Sequence, residues 1–161
     1  MGQINSRKQV IVVEDDANDF TLIEHALRDG GMVFRTRRVH TADELDEELT
    51  RLAPDLVVCD HAGSTWNSFA VLDRVRAFQS NTPFVVVSGG LDERTQAELI
   101  SRGADGCVSK DQLARLALVV EQALQHHAED QRKRVEEIRR SLSPFTFTAR
   151  RRARLNLQAC A

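Results

Sequence analysis

The stretch Asp55-Leu56-Val57-Val58-Cys59-Asp60 has the pattern that decides the fold. Four apolar residues run directly into a carboxylate, which is typical of a strand that is buried on both faces and ends at the edge of a sheet. Asp60 would then lie at that edge, with its side chain available for chemistry. A single acidic residue at a strand end more often forms a turn, so a reactive Asp60 requires other groups at the same edge.

Apolar runs of the same kind recur on both sides of this stretch. They alternate with segments in which apolar residues have helical spacing, and capping residues or glycines bound these segments. Five consecutive strand and helix units predict an α/β fold, a doubly wound parallel sheet with helices on both faces. The predicted strands are residues 9–13, 32–40, 56–59, 83–87 and 106–109.

Polar residues follow the predicted strands. Because parallel strands point the same way, their C-terminal ends gather at one edge, where such folds place their sites. That edge would collect Glu14, Asp15, Asp60, Ser88 and Lys110. Three crowded carboxylates raise one another's pKa unless a cation lies among them, and hard oxygen ligands suit Mg2+. With the metal bound, Asp60 could attack a phosphoryl group while Lys110 and the Ser88 hydroxyl contact the transferred oxygens.

Each of these residues also has a structural interpretation when it is taken alone. Residues 14–16 could be acids at a helix N-terminus, Ser88 a helix cap and Lys110 a surface lysine. These interpretations do not predict that the residues follow successive strands, so their common position favours a site. His61 adjoins Asp60, and it could orient water at a phosphoryl group or serve in packing or at the surface.

With these motifs in place, the chain resembles the receiver domains of two-component response regulators over residues 9 to about 126. The resemblance rests on VVEDD at 12–16, LVVCD at 56–60, FVVVSGG at 84–90 and GADGCVSKD at 103–111. It implies a CheY-like, flavodoxin-like fold with five helices and a five-stranded parallel sheet in the order 2-1-3-4-5.

The resemblance also implies roles for the residues at the predicted edge. Asp60 would be the phosphoacceptor, Ser88 the switch hydroxyl and Lys110 the lysine that pairs with the phosphoryl group. The residues expected to hold Mg2+ are Glu14, Asp15, Asp60 and, through its backbone carbonyl, Ala62.

Three features depart from the family pattern. Cys107 stands where many members have an aromatic residue, which argues against a switch that couples the hydroxyl to a rotating ring. Asp111 replaces the proline that usually follows the lysine, as in a receiver subgroup with KD at this point; it is expected to cap the last helix. The loop at residues 61–68 has its glycine at an unusual position and no proline, so its backbone geometry is expected to differ.

The charge distribution divides the chain into an acidic body and a basic end. Residues 1–131 contain 13 Lys and Arg against 22 Asp and Glu, whereas residues 132–161 contain 9 against 2. Apolar residues from Leu124 to Leu142 keep a spacing of three and four, so the last helix should extend to about Ser141, as a solvated helix or as a homodimerisation helix. The predicted parts are an N-terminal arm at 1–8, a receiver domain at 9–127, a helical extension at 128–142 and a basic, flexible tail at 143–161.

Composition limits the environment and the partners. No apolar run approaches the roughly 18 residues of a membrane span, and the first residues lack a signal-peptide core, so a cytoplasmic protein without membrane contact is expected. The three cysteines, Cys59, Cys107 and Cys160, have no metal-ligand spacing. The first two lie in apolar strand contexts, and buried, reduced thiols are expected. The basic cluster at 150–154 could contact nucleic acid through phosphates or fold back on the acidic body, and a flexible tail is favoured over nucleic-acid binding. No helix-turn-helix fits in this length.

The sequence thus predicts a single-domain response regulator that is not an enzyme, although it could remove its own phosphoryl group. A histidine kinase or a phosphotransfer protein would phosphorylate Asp60. A downstream protein target would read the changed surface around the fifth predicted strand, at 106–109, and the helices that precede and follow it. An aspartyl-phosphate phosphatase or phosphotransferase is one alternative, but Ala62 stands where such enzymes carry a second aspartate. An interaction module that works without phosphorylation is the other, and the complete set of acid, hydroxyl and lysine argues against it.

Overall fold

A parallel sheet forms the centre of the molecule. The computed structural model describes residues 7–61 and 67–157, with side chains as far as Leu142. The strands in this part of the chain are β1 (Lys8–Val13), β2 (Phe34–Val39), β3 (Leu56–Asp60), β4 (Phe84–Ser88) and β5 (Gly106–Ser109). Each is parallel to its neighbours, in the order β2-β1-β3-β4-β5. The predicted fold class and strand order are therefore confirmed.

Helices connect the strands, and four of them begin at side-chain caps. Asp16, Thr41, Asn67 and Asp92 each accept a hydrogen bond from a backbone N–H of the helix that follows, which satisfies a donor that a helix start leaves free. No helix in the described part of the chain is both long enough and apolar enough to cross a membrane. The helices are α1 (Ala17–Asp29), α2 (Ala42–Arg51), α3 (Ser68–Phe78), α4 (Glu93–Ser101) and α5 (Leu116–Leu157).

Two apolar layers pack on opposite faces of the sheet, because successive side chains of a strand point to opposite sides. Val57 and Phe84 belong to the layer that α2, α3 and α4 cover. Val58 and Val85 belong to the layer that α1 and the first turns of α5 cover. Every residue of β3 is buried, and for this reason its sequence is a continuous apolar run up to Asp60.

The chain after β5 differs from the prediction that Asp111 caps the last helix. A short 3-10 turn, Lys110–Arg115, follows β5 directly, and α5 begins at Leu116. Ser109 caps this turn, since its hydroxyl accepts a hydrogen bond from the Asp111 N–H at 3.3 Å. Gln112 has non-helical backbone angles inside the turn, which prevents the turn and α5 from forming one continuous α-helix.

α5 is longer than its sequence pattern predicts. It has 42 residues, and its helical backbone continues to Leu157 rather than ending near Ser141. Residues 149–155 are all Ala, Arg or Leu, which are strong helix formers and account for the continuation beyond Pro144. The chain divides into two compact units between His127 and Ala128. The flexibility of residues 143–161 stays a prediction.

Gly30 and Gly31, which follow α1, are needed for different reasons. A Cβ on Gly30 would lie 2.1 Å from the Cβ of Ala117 in α5, whereas Gly31 has open space around it but a φ of +80°. Gly30→Ala is therefore expected to lower the free energy of unfolding by about 2 kcal/mol through overpacking. A second substitution, Ala117→Gly, should restore part of this loss, although glycine costs about 1 kcal/mol inside a helix.

Urea unfolding of the single and double variants measures this effect. Gly31→Ala provides the matched control, because its cost arises from backbone strain and Ala117→Gly should not reduce it. A Gly30→Ala/Ala117→Gly protein that is no more stable than Gly30→Ala would contradict the packing explanation.

Candidate functional site

Four strand ends meet at the C-terminal edge of the sheet. The register of β3 against β4 and of β4 against β5 places the ends of these strands side by side. Asp60 and Ser88 are the last residues of β3 and β4, while Glu14 and Lys110 directly follow β1 and β5. The structure thus brings together four of the residues that the sequence placed at this edge.

Three carboxylates lie close together there. Glu14, Asp15 and Asp60 each contribute an oxygen to a group whose atoms all lie within 4.8 Å of one another. Glu14 is 1% and Asp60 6% exposed, and Glu14 Oε1 accepts a hydrogen bond from the Asp16 N–H at 3.0 Å. Burial raises the pKa of Glu14, and although this hydrogen bond lowers it, the neighbouring Asp60 charge raises it further. A cation near these acids would offset the repulsion among their charges.

The Lys110 ammonium supplies a positive charge among these acids. Its Nζ lies 2.5 Å from Asp19 Oδ2 and 3.4 Å from both Glu14 Oε2 and Asp60 Oδ1. Burial lowers the pKa of Lys110, but the hydrogen bond to Asp19 and the charges of Asp60 and Glu14 outweigh burial and raise it. Lys110 is therefore charged at neutral pH and offsets part of the repulsion among the acids.

Asp19 is a member of the site that sequence reasoning missed. It lies in the first turn of α1 and reaches Lys110 across a separation of 91 residues in the chain. An acid is favourable at a helix N-terminus in any case, so an acidic residue at this position carries no signal of its own. Asp19 is recognised as a site residue only from the structure, in which the start of α1 lies close to the end of β5.

Ser88 is the hydroxyl residue of the site. It is 3% exposed, and its Oγ accepts a hydrogen bond from the Gly90 N–H at 3.2 Å. This bond uses a lone pair of the hydroxyl and leaves its proton free to donate. Ser88 therefore ends the strand next to Asp60 with a donor that a phosphoryl oxygen could accept.

The loop after Asp60 begins with His61, and the next residue, Ala62, lies outside the described residues. His61 Nδ1 is 2.7 Å from Ser68 Oγ, and the His61 ring meets Phe69 edge-on with 6.2 Å between ring centroids. These contacts connect His61 to the first turn of α3. They favour a packing role for His61 over the orientation of water. The Ala62 carbonyl as a metal ligand stays a prediction.

Two cysteines lie in the strands near the site. Cys59 is fully buried beside Asp60, and burial raises the pKa of its thiol. Cys107 is half-buried and packs against the apolar layer beneath α2, α3 and α4. Both are free thiols, as expected, but Cys107 is less buried than its strand context predicts. Cys160 lies outside the described residues. At position 107 there is thus a small side chain in contact with the core.

A second group of possible metal ligands lies elsewhere in the receiver unit and consists of Asp105, His126 and His127. His127 Nε2 is 2.7 Å from Asp105 Oδ1, and His127 Nδ1 is 2.9 Å from the Asn81 carbonyl oxygen. The Asp105 carboxylate also accepts a hydrogen bond from the Phe84 N–H at 2.8 Å. Because both ring nitrogens of His127 have hydrogen-bond partners, this group connects α5 to the starts of β4 and β5 and needs no metal to explain it.

The fold and this edge together define the class of the protein. A five-stranded parallel sheet carries buried acids, a hydroxyl and a lysine at the C-terminal ends of its strands, as the resemblance to receiver domains implies. The family model of the response regulator receiver domain matches residues 10–121. The chain belongs to this family.

Two curated relatives illustrate the relationship. The chain is 28% identical over 144 residues to the nitrogen assimilation regulatory protein NtrX of Azorhizobium caulinodans. It is 24% identical over 127 residues to the transcriptional regulatory protein ZraR of Salmonella typhimurium. These matches cover 88% and 78% of this chain and 31% and 28% of the relatives. The chain therefore spans less than a third of the length of the curated relatives it matches.

Solved structures of receiver-containing proteins share this fold. NtrX from Brucella abortus is 30% identical, with a TM-score of 0.68 over 82% of this chain and 29% of that one. The signal receiver domain of a putative Luxo repressor protein from Vibrio parahaemolyticus is 21% identical, with a TM-score of 0.69. That match covers 78% of this chain and 95% of the receiver domain, and it shows a shared fold.

Proposed function

We propose that Asp60 accepts a phosphoryl group from a histidine kinase or a phosphotransfer protein, and that the chain works as a response regulator. The observation that carries the proposal is the position of Asp60. Its carboxylate is at the end of a completely buried strand, is 6% exposed and lies 3.4 Å from the Lys110 ammonium. A fixed cation beside a sheltered nucleophile favours the attack on an anionic phosphoryl group. Membership of the receiver family supports the same assignment.

The acids at this edge fit Mg2+ by the chemistry of their donor atoms. Glu14, Asp15 and Asp60 offer carboxylate oxygens within 4.8 Å of one another, and Mg2+ prefers one or two carboxylates together with waters and phosphate oxygens. The carbonyl of Ala62 is the further ligand that the family resemblance implies. When bound, the ion supplies positive charge to the phosphoryl oxygens.

The chain's own residues account for the transfer. A carboxylate oxygen of Asp60 forms a bond to phosphorus while the bond from phosphorus to the donor's imidazole nitrogen breaks, which yields an acyl phosphate. Lys110 pairs with one phosphoryl oxygen, and the Ser88 hydroxyl donates a hydrogen bond to another. The chain therefore serves as the acceptor of the group and not as an enzyme that turns over a substrate.

In this scheme the Lys110 ammonium has two alternative partners, the Asp19 carboxylate and the phosphoryl group on Asp60. The Asp19 carboxylate makes the shortest of the Lys110 contacts, at 2.5 Å, against 3.4 Å to Asp60. A phosphoryl group on Asp60 adds negative charge next to Lys110, so the ammonium is expected to move from Asp19 toward the new group. The start of α1 would then lose a contact that it has in the unphosphorylated chain.

The signal is proposed to leave by contact with a downstream protein in the cytoplasm. New hydrogen bonds at Ser88 and Lys110 would alter the surface of α4, β5 and α5. Cys107 is small and half-buried, so the change would be carried by the backbone and by these two side chains rather than by a rotating ring.

Uptake of a phosphoryl group tests the proposal. The full chain is incubated with Mg2+ and acetyl phosphate, and intact-mass spectrometry counts the groups added. One group per chain is expected, and none when EDTA removes the metal. Trp66, the single tryptophan, lies six residues after Asp60 in the sequence, and its emission should change with Mg2+ and then with beryllofluoride. Absence of both responses would overturn the proposal, and steady turnover of a phosphomonoester would favour a phosphatase.

Glu14→Gln is expected to change metal binding and stability in opposite directions. In the absence of divalent cations it removes a buried charge beside Asp60, while the amide oxygen can still accept from the Asp16 N–H. We expect the free energy of unfolding to rise by about 1 kcal/mol, the usual scale of a single substitution. Mg2+ affinity should fall about tenfold, because a charged oxygen ligand is lost.

The sign of the stability change follows from the raised pKa of Glu14. A carboxyl group whose pKa is higher in the folded chain destabilises that chain once it is charged, so stability falls as pH rises through this range. Metal-free wild type should therefore lose more stability than Glu14→Gln between acid and neutral pH. Thermal unfolding across pH and Mg2+ concentration measures both effects, and a variant that is less stable with unchanged Mg2+ affinity would contradict the prediction.

A further inference from the structure

An exposed apolar stripe runs along the helical extension. Val135, Ile138 and Leu142 follow one another at intervals of three and four residues, which places them on one face of the helix. Their exposed fractions are 66%, 58% and 59%. Contiguous large apolar side chains at the surface mark an interaction site more often than scattered ones do. These three residues belong to the second compact unit, and the proposed phosphorylation does not use them.

Positive charge borders the stripe on both sides. At about 100° per residue, Arg134 on one side and Arg132 and Arg139 on the other lie within about 90° of the midline of the stripe. All three are exposed. The acids of the extension lie further round the helix, about 110° or more from the midline: Glu129, Asp130, Glu136 and Glu137. The face that a partner would meet is therefore apolar at its centre and basic at both borders.

This arrangement disfavours the pairing of two copies through the stripe. In a parallel pair of helices, the residues that border one stripe face those on the opposite border of the other, and in an antiparallel pair each border faces its own counterpart. Both geometries bring Arg132, Arg134 or Arg139 against another arginine. Like charges placed together across an interface oppose association. The homodimer expected from the apolar spacing alone is thus opposed by the bordering charges.

We propose that residues 131–142 dock onto a partner protein through an amphipathic helix whose apolar stripe is bordered by Asp and Glu. Val135, Ile138 and Leu142 would pack between apolar side chains of that helix. The bordering arginines would pair with its acids. A second copy of this chain has arginines at those positions, so the charges favour the partner over self-association. Docking does not depend on phosphorylation of Asp60, so the surface can recruit a partner in either state of the receiver unit.

Two synthetic helical peptides test this proposal with the full chain. Both carry Leu at the stripe positions of three heptads; one has Glu and the other Lys at the bordering positions, so neither pairs with itself. Fluorescence anisotropy without Mg2+ or phosphodonor should show the Glu peptide bound at least tenfold more tightly, with a preference that weakens as salt is added. Because no phosphodonor is present, failure of this test leaves the proposal for Asp60 untouched.

Substitutions at exposed positions identify the surface. Ile138→Asp should abolish binding, and the triple change Arg132→Glu, Arg134→Glu and Arg139→Glu should reverse the preference between the peptides. The matched control is Lys133→Glu with Arg140→Glu on the back of the helix, which should leave the preference unchanged. Unaltered thermal unfolding of each variant verifies folding.

Three results would overturn the proposal. The first is equal binding of the Glu and Lys peptides. The second is concentration-dependent dimerisation of the full chain in sedimentation that Ile138→Asp removes, because a second copy would then be the occupant. The third is binding of a DNA duplex or of phosphatidylserine vesicles that requires the three arginines, in the absence of binding to the Glu peptide.

Discussion

Asp60→Asn is expected to abolish phosphoryl uptake, so that with Mg2+ and acetyl phosphate the intact mass of the variant stays that of the unmodified chain. The amide lacks the charge and the nucleophilic oxygen that the carboxylate offers to phosphorus. The substitution also removes one of the three carboxylates whose oxygens lie within 4.8 Å of one another. The two side chains are almost the same size, and thermal unfolding should therefore show that the fold is kept.

Asp16→Asn is the matched control for this substitution. Asp16 Oδ1 accepts hydrogen bonds from the N–H groups of Asn18 at 2.7 Å and Asp19 at 3.1 Å, and asparagine caps a helix about as well as aspartate. The same chemical change is thus made two residues from Glu14 without altering Asp60. This variant should take up one phosphoryl group, as wild type does. If Asp60→Asn also takes up one, the acceptor is another residue, and peptide mass analysis identifies it.

The central part of the fold was predictable because strands buried on both faces have a distinctive sequence pattern. Every residue of β3 and β4 is buried, so both strands read as apolar runs without polar alternation. Parallel pairing then places the ends of these strands at one edge. The positions of Asp60 and Ser88 at that edge follow from topology and do not depend on the details of side-chain packing.

Other features were not predictable because they depend on a choice between local interactions of similar strength. Ser109 and Asp111 are both good capping residues, and the structure uses the Ser109 hydroxyl. The end of α5 depends on the balance between Pro144 and the strong helix formers that follow it. Asp19 reaches Lys110 only because α1 begins beside the end of β5, which no short-range pattern encodes.

The charges at the edge oppose the stability of the fold while they suit its proposed chemistry. Burial raises the pKa of Glu14, which means that the folded chain holds this carboxylate at a cost. Lys110 reduces that cost through contacts with Glu14, Asp60 and Asp19. One ammonium therefore stabilises three acids at once, and its removal should have a larger effect than the loss of an ordinary ion pair.

Lys110→Met is accordingly expected to lower the free energy of unfolding by about 2 kcal/mol in EDTA. Removal of one partner from a buried ion pair costs about 3–5 kcal/mol, and partial exposure reduces this: the Lys110 side chain is 24% exposed and that of Asp19 33%. Methionine keeps most of the apolar stem, so the loss reports the charge. Urea unfolding of wild type, Lys110→Met and Lys110→Arg measures it, and the arginine variant should retain part of the stability.

Mg2+ distinguishes this charge effect from a packing defect. If the acids of the Lys110→Met protein repel one another, added Mg2+ should raise its melting temperature more than that of wild type, because the bound ion replaces the missing positive charge. Lys133→Met serves as the control, since Lys133 is 76% exposed and lies 3.7 Å from Asp130 on the helical extension; it should respond to Mg2+ as wild type does. An equal Mg2+ response in Lys110→Met and wild type would mean that Lys110 stabilises the edge through contacts of its side chain and not through its charge.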